Sequence, residues 1–278
     1  MGTPLGDFIR AKRDSTQPES LGLPDHGRRR SPGLRRSDLA VRAGISVEYL
    51  TRLEQGRDRN PSVAVVNALA DALSLDPSER NHLRYLAKIT GGECSAHSQP
   101  APPRHDVRPS VRETLRLLEP GIAMVTNRLG DVLDRTSGYE LVMDGSGLLD
   151  AAAPNLTRYV FTHPRARTFF ADWGDVADEQ AFDLWLGPSV EISEWFTAEL
   201  APVAGPDFTQ RLNRHVVPQR GVLRLNHPSG CELRLLRETL ELSADGQQLV
   251  VFLPADDRTA EVVDRLRVPP QGVLRAIS

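Results

Sequence analysis

Leu39, Ala43, Leu50 and Leu53 recur at three- and four-residue intervals, the spacing of one apolar face on helices. Between them Gly44 stands where a tight turn needs a residue free to take positive φ. Ala40 is small enough for two helices to touch closely. Ile45 can plug the turn, and Ser46 can cap the next helix by accepting a backbone N–H. The stretch Arg36–Gly56 therefore predicts two short helices crossed at a Gly turn, a helix-turn-helix, whose second helix enters the DNA major groove. Around it Leu5, Phe8 and Ile9 predict a helix over 4–14. Val65, Val66, Leu69, Ala70 and Leu73 predict a fourth, with Asn60 as its cap and Pro61 at its first position. Asp76-Pro77-Ser78-Glu79 reads as a capping box opening a fifth through Leu83, Leu86 and Ala87. These make an all-α, five-helix domain over residues 1–90.

Residues 91–108 are rich in Pro, Ser and Gly and predict a linker. From 109 to 278 the periodicity is mixed. Val111, Leu115 and Leu118 predict a helix. GIAMVT and DVLDRT flank Asn127–Gly130 as a hairpin, and Pro154–Leu200 is mostly helical and aromatic. GVLRLN, CELRLLRETLEL and QLVVFLP predict three more strands, and DDRTAEVVDRL a closing helix. In CELRLLRETLEL the apolar phase moves from Leu233 and Leu235 to Leu240 and Leu242. A strand keeps one parity, so this predicts a bulge or break near Leu236–Arg237. The expected second domain is α+β, with helices set into antiparallel strands.

Charge adds a contrast between the two parts. The chain carries a net charge of −3, yet residues 1–90 hold 15 Lys and Arg against 11 Asp and Glu. Arg28, Arg29 and Arg30 before the helix-turn-helix, and Arg57 and Arg59 after it, make a local basic face suited to a polyanion. The 40% hydrophobic content is that of a globular protein, and no apolar run reaches the length of a membrane span. Two distant cysteines, Cys94 and Cys231, predict neither a disulfide framework nor a metal site, and fit a reducing cytoplasm. His163, His215 and His227 lack metal-ligand spacing. Asp172, Asp175, Asp178 and Glu179 sit at the offsets of a solvated helix face. No nucleophile elbow, phosphate loop or dinucleotide fingerprint is present, so neither catalysis nor a cofactor is expected.

The match of Leu39-Ala40, Ala43-Gly44-Ile45-Ser46 and Leu53-Glu54-Gln55-Gly56 resembles the lambda-repressor-like, or xenobiotic-response-element (XRE), regulators. With RRRSPGLR and YLTRLEQGRDRNPS it further resembles their MmyB-type subgroup. NLTRYVFTHPRARTFFADW and HPSGCELRLLRETLEL resemble the PAS-like ligand-binding domain of the same regulators. The resemblance implies a sequence-specific, double-stranded-DNA-binding transcriptional regulator acting as a homodimer on a near-palindromic site, in the cytoplasm and away from membranes. In the family's geometry the third helix faces the groove with Ser46, Val47, Glu48, Tyr49, Thr51, Arg52 and Gln55. Arg52 is placed for guanine, Glu48 for cytosine N4 and Val47 for a thymine methyl. Arg36 stands where the family has a phosphate-facing Gln, and Arg28–Arg30, Arg57 and Arg59 are placed for phosphates.

For the second domain the resemblance implies a fatty-acid-like or other small hydrophobic ligand, its carboxylate held by an Arg-Asn-x-x-Arg motif. Asn155 and Arg158 occupy two of those positions, but Pro154 stands at the first Arg. The departure leaves open another ligand, another anchor such as Arg165 or Arg167, or a domain that only dimerises or binds a protein partner.

Overall fold

The computed structural model describes residues 3–22, 33–91, 105–184, 190–214, 216–218, 221–242 and 245–267. The chain forms two compact units. The first draws on Met1–Ala101, Pro188–Trp195 and Gly205–Val217, the second on Pro102–Gly187, Phe196–Ala204 and Pro218–Ser278. Arg28–Arg30 lie outside the described residues, as do most of the expected linker, Cys94, Trp185 and His215.

The first unit is all helical: α1 (Pro4–Ser15), α2 (Arg36–Ala43), α3 (Val47–Glu54), α4 (Val63–Ala72) and α5 (Pro77–Thr90). Its core gathers Leu5, Phe8, Ile9, Leu39, Leu50, Leu53, Leu69, Leu83 and Leu86, all buried. Each helix begins for a local reason. Thr3, Ser46, Ser62 and Asp76 cap α1, α3, α4 and α5 by accepting a backbone N–H. Asp76 and Glu79 complete a reciprocal capping box. The cap of α4 is thus Ser62 and not Asn60. Its hydroxyl accepts from Val65, which starts the helix at Val63, two residues beyond Pro61. Gly44 takes φ +63°, ending α2 in the left-handed conformation that a Cβ disfavours. Gly6 has a different reason. A Cβ there would meet the carbonyl oxygens of Leu53 and Glu54 at 2.5 and 2.8 Å, so α1 crosses the end of α3 only as glycine. A sixth helix, α12 (Pro206–Arg214), comes from far along the chain and lies against α1 with Phe208 fully buried.

The second unit is a five-stranded antiparallel sheet with helices. It comprises α6 (Pro109–Leu117), β1 (Ile122–Asn127), β2 (Val132–Arg135), α7 (Ser137–Met143), α8 (Leu156–Thr162), α9 (Ala166–Phe169) and α10 (Trp173–Asp183). Part of α11 (Val190–Ala204), then β3 (Leu223–His227), β4 (Cys231–Leu242), β5 (Gln247–Pro254) and α13 (Asp257–Arg267) complete it. The strand order is β2-β1-β5-β4-β3, every neighbour antiparallel, and the fold is α+β and PAS-like. Strand parity divides the residues between two faces. Ala123, Val125 and Leu249 lie against α6 with Val107, Val111 and Leu115. Met124, Thr126, Gln248, Val250 and Phe252 face the other way, and they line a cavity.

Strand β4 corrects the expected bulge. Its pairing with β5 runs without interruption from Leu235↔Pro254 to Leu242↔Gln247. Leu233 and Leu235 face inward, and so, at the same parity, do Arg237 and Thr239 of the cavity lining. Leu236 and Leu240 lie on the opposite face and are 44% and 51% exposed. The apolar phase changes because charged and polar side chains take over the interior, and the backbone stays regular.

Candidate DNA interface and sensor cavity

The third helix presents two faces of opposite character. Leu50, Leu53 and Glu54 are buried, and Tyr49 packs partly against the core. Val47, Glu48, Arg52 and Gln55 are exposed, and Thr51 is half-buried with its hydroxyl donating to the Val47 carbonyl. Ser46 is exposed, and its hydroxyl is engaged as the cap, accepting from Tyr49 N–H at 3.1 Å. A cap of this kind contributes about 1 kcal/mol. Arg52 is the most constrained of the outward side chains. Its guanidinium lies 5.6 Å from the centre of the Tyr49 ring, and Nη2 is 3.9 Å from Asp58 Oδ2. Asp58 is placed there by the turn after α3, where Arg57 and Asp58 both donate backbone N–H groups to the Arg52 carbonyl. Burial, and then the charge of Asp58, push the Tyr49 hydroxyl pKa up. Arg57 and Arg59 are exposed beyond the turn, Arg59 with Nε donating to the Gly56 carbonyl at 3.4 Å.

Arg36 is held differently from a simple phosphate contact. Its Nε donates to Glu54 Oε2 at 2.7 Å, and Glu54 is fully buried. The same carboxylate accepts from Arg13 Nε at 2.7 Å and from Arg13 Nη2 at 3.3 Å. Arg36 thus ties α2 to the end of α3 while its side chain remains 43% exposed.

In the second unit the cavity occupies about 70 Å³ between the sheet and α10. Its apolar walls include Met124, Tyr139, Phe170, Val176 and Phe252. Val176, Glu179, Gln180 and Asp183 all line it because their three- and four-residue spacing puts them on one face of α10. Glu179 was expected among solvated acids, but it is buried and receives a two-pronged contact from Arg237. Nη1 donates to Oε2 at 2.5 Å and Nη2 to Oε1 at 2.7 Å. Arg128, also in the lining, meets Asp183 at 3.6 Å and Glu241 at 2.6 Å. Tyr139 is wholly enclosed, and burial pushes its phenol pKa far above the ordinary value, keeping it neutral.

Asn155 and Arg158 lie elsewhere. Asn155 caps α8, its Oδ1 accepting from Arg158 N–H at 2.7 Å, while Nδ2 donates to Asp131 Oδ1 at 2.7 Å and to the Leu129 carbonyl at 3.1 Å. Arg158 pairs with Glu199 at 3.0 Å and covers the Phe196 ring. Neither lines the cavity. Arg165 donates to the Gly145 carbonyl and Arg167 lies over Trp173, so these alternative anchors are placed outside the lining too. The cavity's cations are Arg128 and Arg237. One signal in the sequence pointed to Arg237: it sits at the interior parity of Leu233 and Leu235. No group of His, Cys, Asp and Glu suited to a metal ion occurs among the described residues, and none of their helices is long and apolar enough to cross a membrane.

A helix-turn-helix unit combined with a PAS-like α+β unit is the architecture of a transcriptional regulator that carries a ligand-binding domain. Residues 5–83 match the family model of a helix-turn-helix domain, and residues 107–266 match that of the MmyB-like transcription regulator ligand binding domain. The second match covers more than half of the sequence, and the chain belongs to the MmyB-like transcription regulators. It is also similar to an uncharacterized HTH-type transcriptional regulator of Sinorhizobium fredii, at 43% identity over 51 residues. That alignment takes in 18% of this chain and spans 65% of the relative's length.

Proposed function

We propose that the protein binds double-stranded DNA sequence-specifically through α3, as a homodimer, and that the second unit senses a small hydrophobic ligand. The observation that carries the first part is the division of α3 into a buried stripe and an outward face, with Arg52 held between Tyr49 and Asp58. On this reading Val47, Glu48, Arg52 and Gln55 read bases. Ser46, Tyr49 and Thr51 border the same edge, and Arg36, Arg57 and Arg59, with Arg28–Arg30, neutralise phosphates. The cavity beside α10 supports the sensing role. Selection of the full-length protein on a random DNA library should enrich one short, near-palindromic sequence bound by two protomers. Equal affinity for that sequence and its scrambled version would sink the proposal. Ligand control is separately tested by repeating the affinity measurement on protein stripped of small molecules and after their return. An unchanged affinity would remove the sensing role and leave the DNA-binding role intact.

A second reading, that the sheet domain serves protein contact alone, is favoured by its outer face. Leu236 stands directly opposite Leu253, with Leu240 on the same face four residues further along, and all three are exposed. If this face joins two protomers, Leu240→Asp should shift sedimentation from dimer to monomer at micromolar concentration. A variant that sediments like the parent would show that the dimer forms elsewhere.

A further inference from the structure

Given the sensing role proposed above, the cavity's own charges define what it takes. Among the described residues two arginines and two acids line it, and they are matched. Arg237 grips Glu179 with both terminal nitrogens, and Arg128 stands between Asp183 and Glu241. Neither guanidinium is left over for an incoming anion. A carboxylate entering here would gain a shared cation while approaching Glu179 and Asp183, and like charges in a poorly solvated space repel strongly. A free ammonium ion would meet the two arginines in the same way. The polar side of the cavity is electrically balanced before any ligand arrives.

One polar valence of the lining is still open. The Nε–H of Arg237 is buried and has no acceptor; among the described residues it is the cavity lining's single buried side-chain polar atom in that state. A buried N–H without a partner is costly, so a ligand that shifts Arg237 enough to bring an acceptor oxygen to this closed-off Nε would be strongly rewarded. The carboxylates of Glu179 and Asp183 accept only, which favours a ligand that also brings an N–H or O–H. Met124, Phe170, Val176 and Phe252 ask for an apolar body.

We infer that the cavity binds an uncharged amphipathic molecule, with a carboxamide-like head that both accepts and donates hydrogen bonds, and that it discriminates against the corresponding carboxylate. The Arg237–Glu179 pair is the specificity device: it supplies hydrogen bonds to the head while cancelling its own charge. Hexanamide and octanamide, titrated against hexanoate and octanoate at neutral pH with the full-length protein, provide the test by calorimetry. The amides should bind at least about tenfold more tightly than the acids of equal length. Glu179→Gln keeps the side chain's shape and one acceptor but leaves the Arg237 charge uncompensated. In that variant the carboxylates should gain at least about tenfold and overtake the amides. Tighter binding of the acids to the unaltered protein would overturn the inference and leave the sensing role standing. Binding by neither series would likewise overturn the inference, while the sensing role stands or falls by the stripping experiment described above.

Discussion

Replacing Glu54 with Ala is expected to cost the helix-turn-helix unit about 3–5 kcal/mol, the range for breaking a buried ion pair from one side. The carboxylate is fully buried and accepts from Arg13 and Arg36, while the Glu54 backbone carbonyl accepts from Arg10 Nη2 at 2.7 Å. One residue thereby joins α1, α2 and α3. Arg13 is itself buried and also donates to the Leu34 carbonyl. Burial opposes its charge, yet the hydrogen bonds and charges of Glu54 and Asp14 outweigh burial and hold its pKa above the ordinary value. Without Glu54 that charge remains buried and short of partners. Glu54→Gln should cost less, because it keeps the shape and one acceptor oxygen. Exchanging Arg13 and Glu54 together for Met and Leu should recover part of the loss, since a well-packed apolar pair avoids the desolvation of two charges. The two units need not unfold together, so the measurement is hydrogen exchange of the α1–α3 amides along a urea titration of the full-length protein. A change below about 0.5 kcal/mol, the range of an ordinary surface substitution, would show that the pair is dispensable.

Arg52→Ala carries the second large effect, about 1–3 kcal/mol of affinity on the selected DNA site, with relaxed preference at one base position. Tyr49 and Asp58 narrow the range of guanidinium orientations, so less ordering remains to be done on binding. Asp58→Asn separates the components. Loss of a negative charge beside the interface should strengthen binding to random DNA, while loss of the Arg52 contact should weaken discrimination at the same base. Equal losses for Arg52→Ala on selected and random DNA would reassign the side chain to a phosphate.

The first unit was legible in the sequence because its determinants are local. Gly44, Ser46 and the Asp76–Glu79 box act within four residues of themselves, and the Leu39, Leu50 and Leu53 stripe follows from helical spacing. The cap of α4 was misplaced by two residues because Asn60-Pro61 and Ser62 offer competing start signals, and only the hydrogen bond to Val65 decides between them. In the second unit the strands and their antiparallel arrangement were readable from alternation, and the parity that Arg237 shares with Leu233 and Leu235 marked it as inward, but what it meets there was not readable. Its partner Glu179 lies 58 residues earlier on another element, and no local pattern announces such a pairing. Asn155 and Arg158 were found as a motif, and the motif's place in this structure is a helix cap and a surface ion pair.

The helix that α12 adds to the first unit has a consequence for how the protein is made. Synthesis proceeds at about 5–20 residues per second. Helix α5 ends at Thr90 and α12 begins at Pro206, so roughly 6–23 s of translation separate them at that pace. During that interval α1 to α5 have emerged, but the side of α1 that receives α12 is still uncovered. The nascent helix-turn-helix unit is therefore finished only after most of the second unit's chain has left the ribosome.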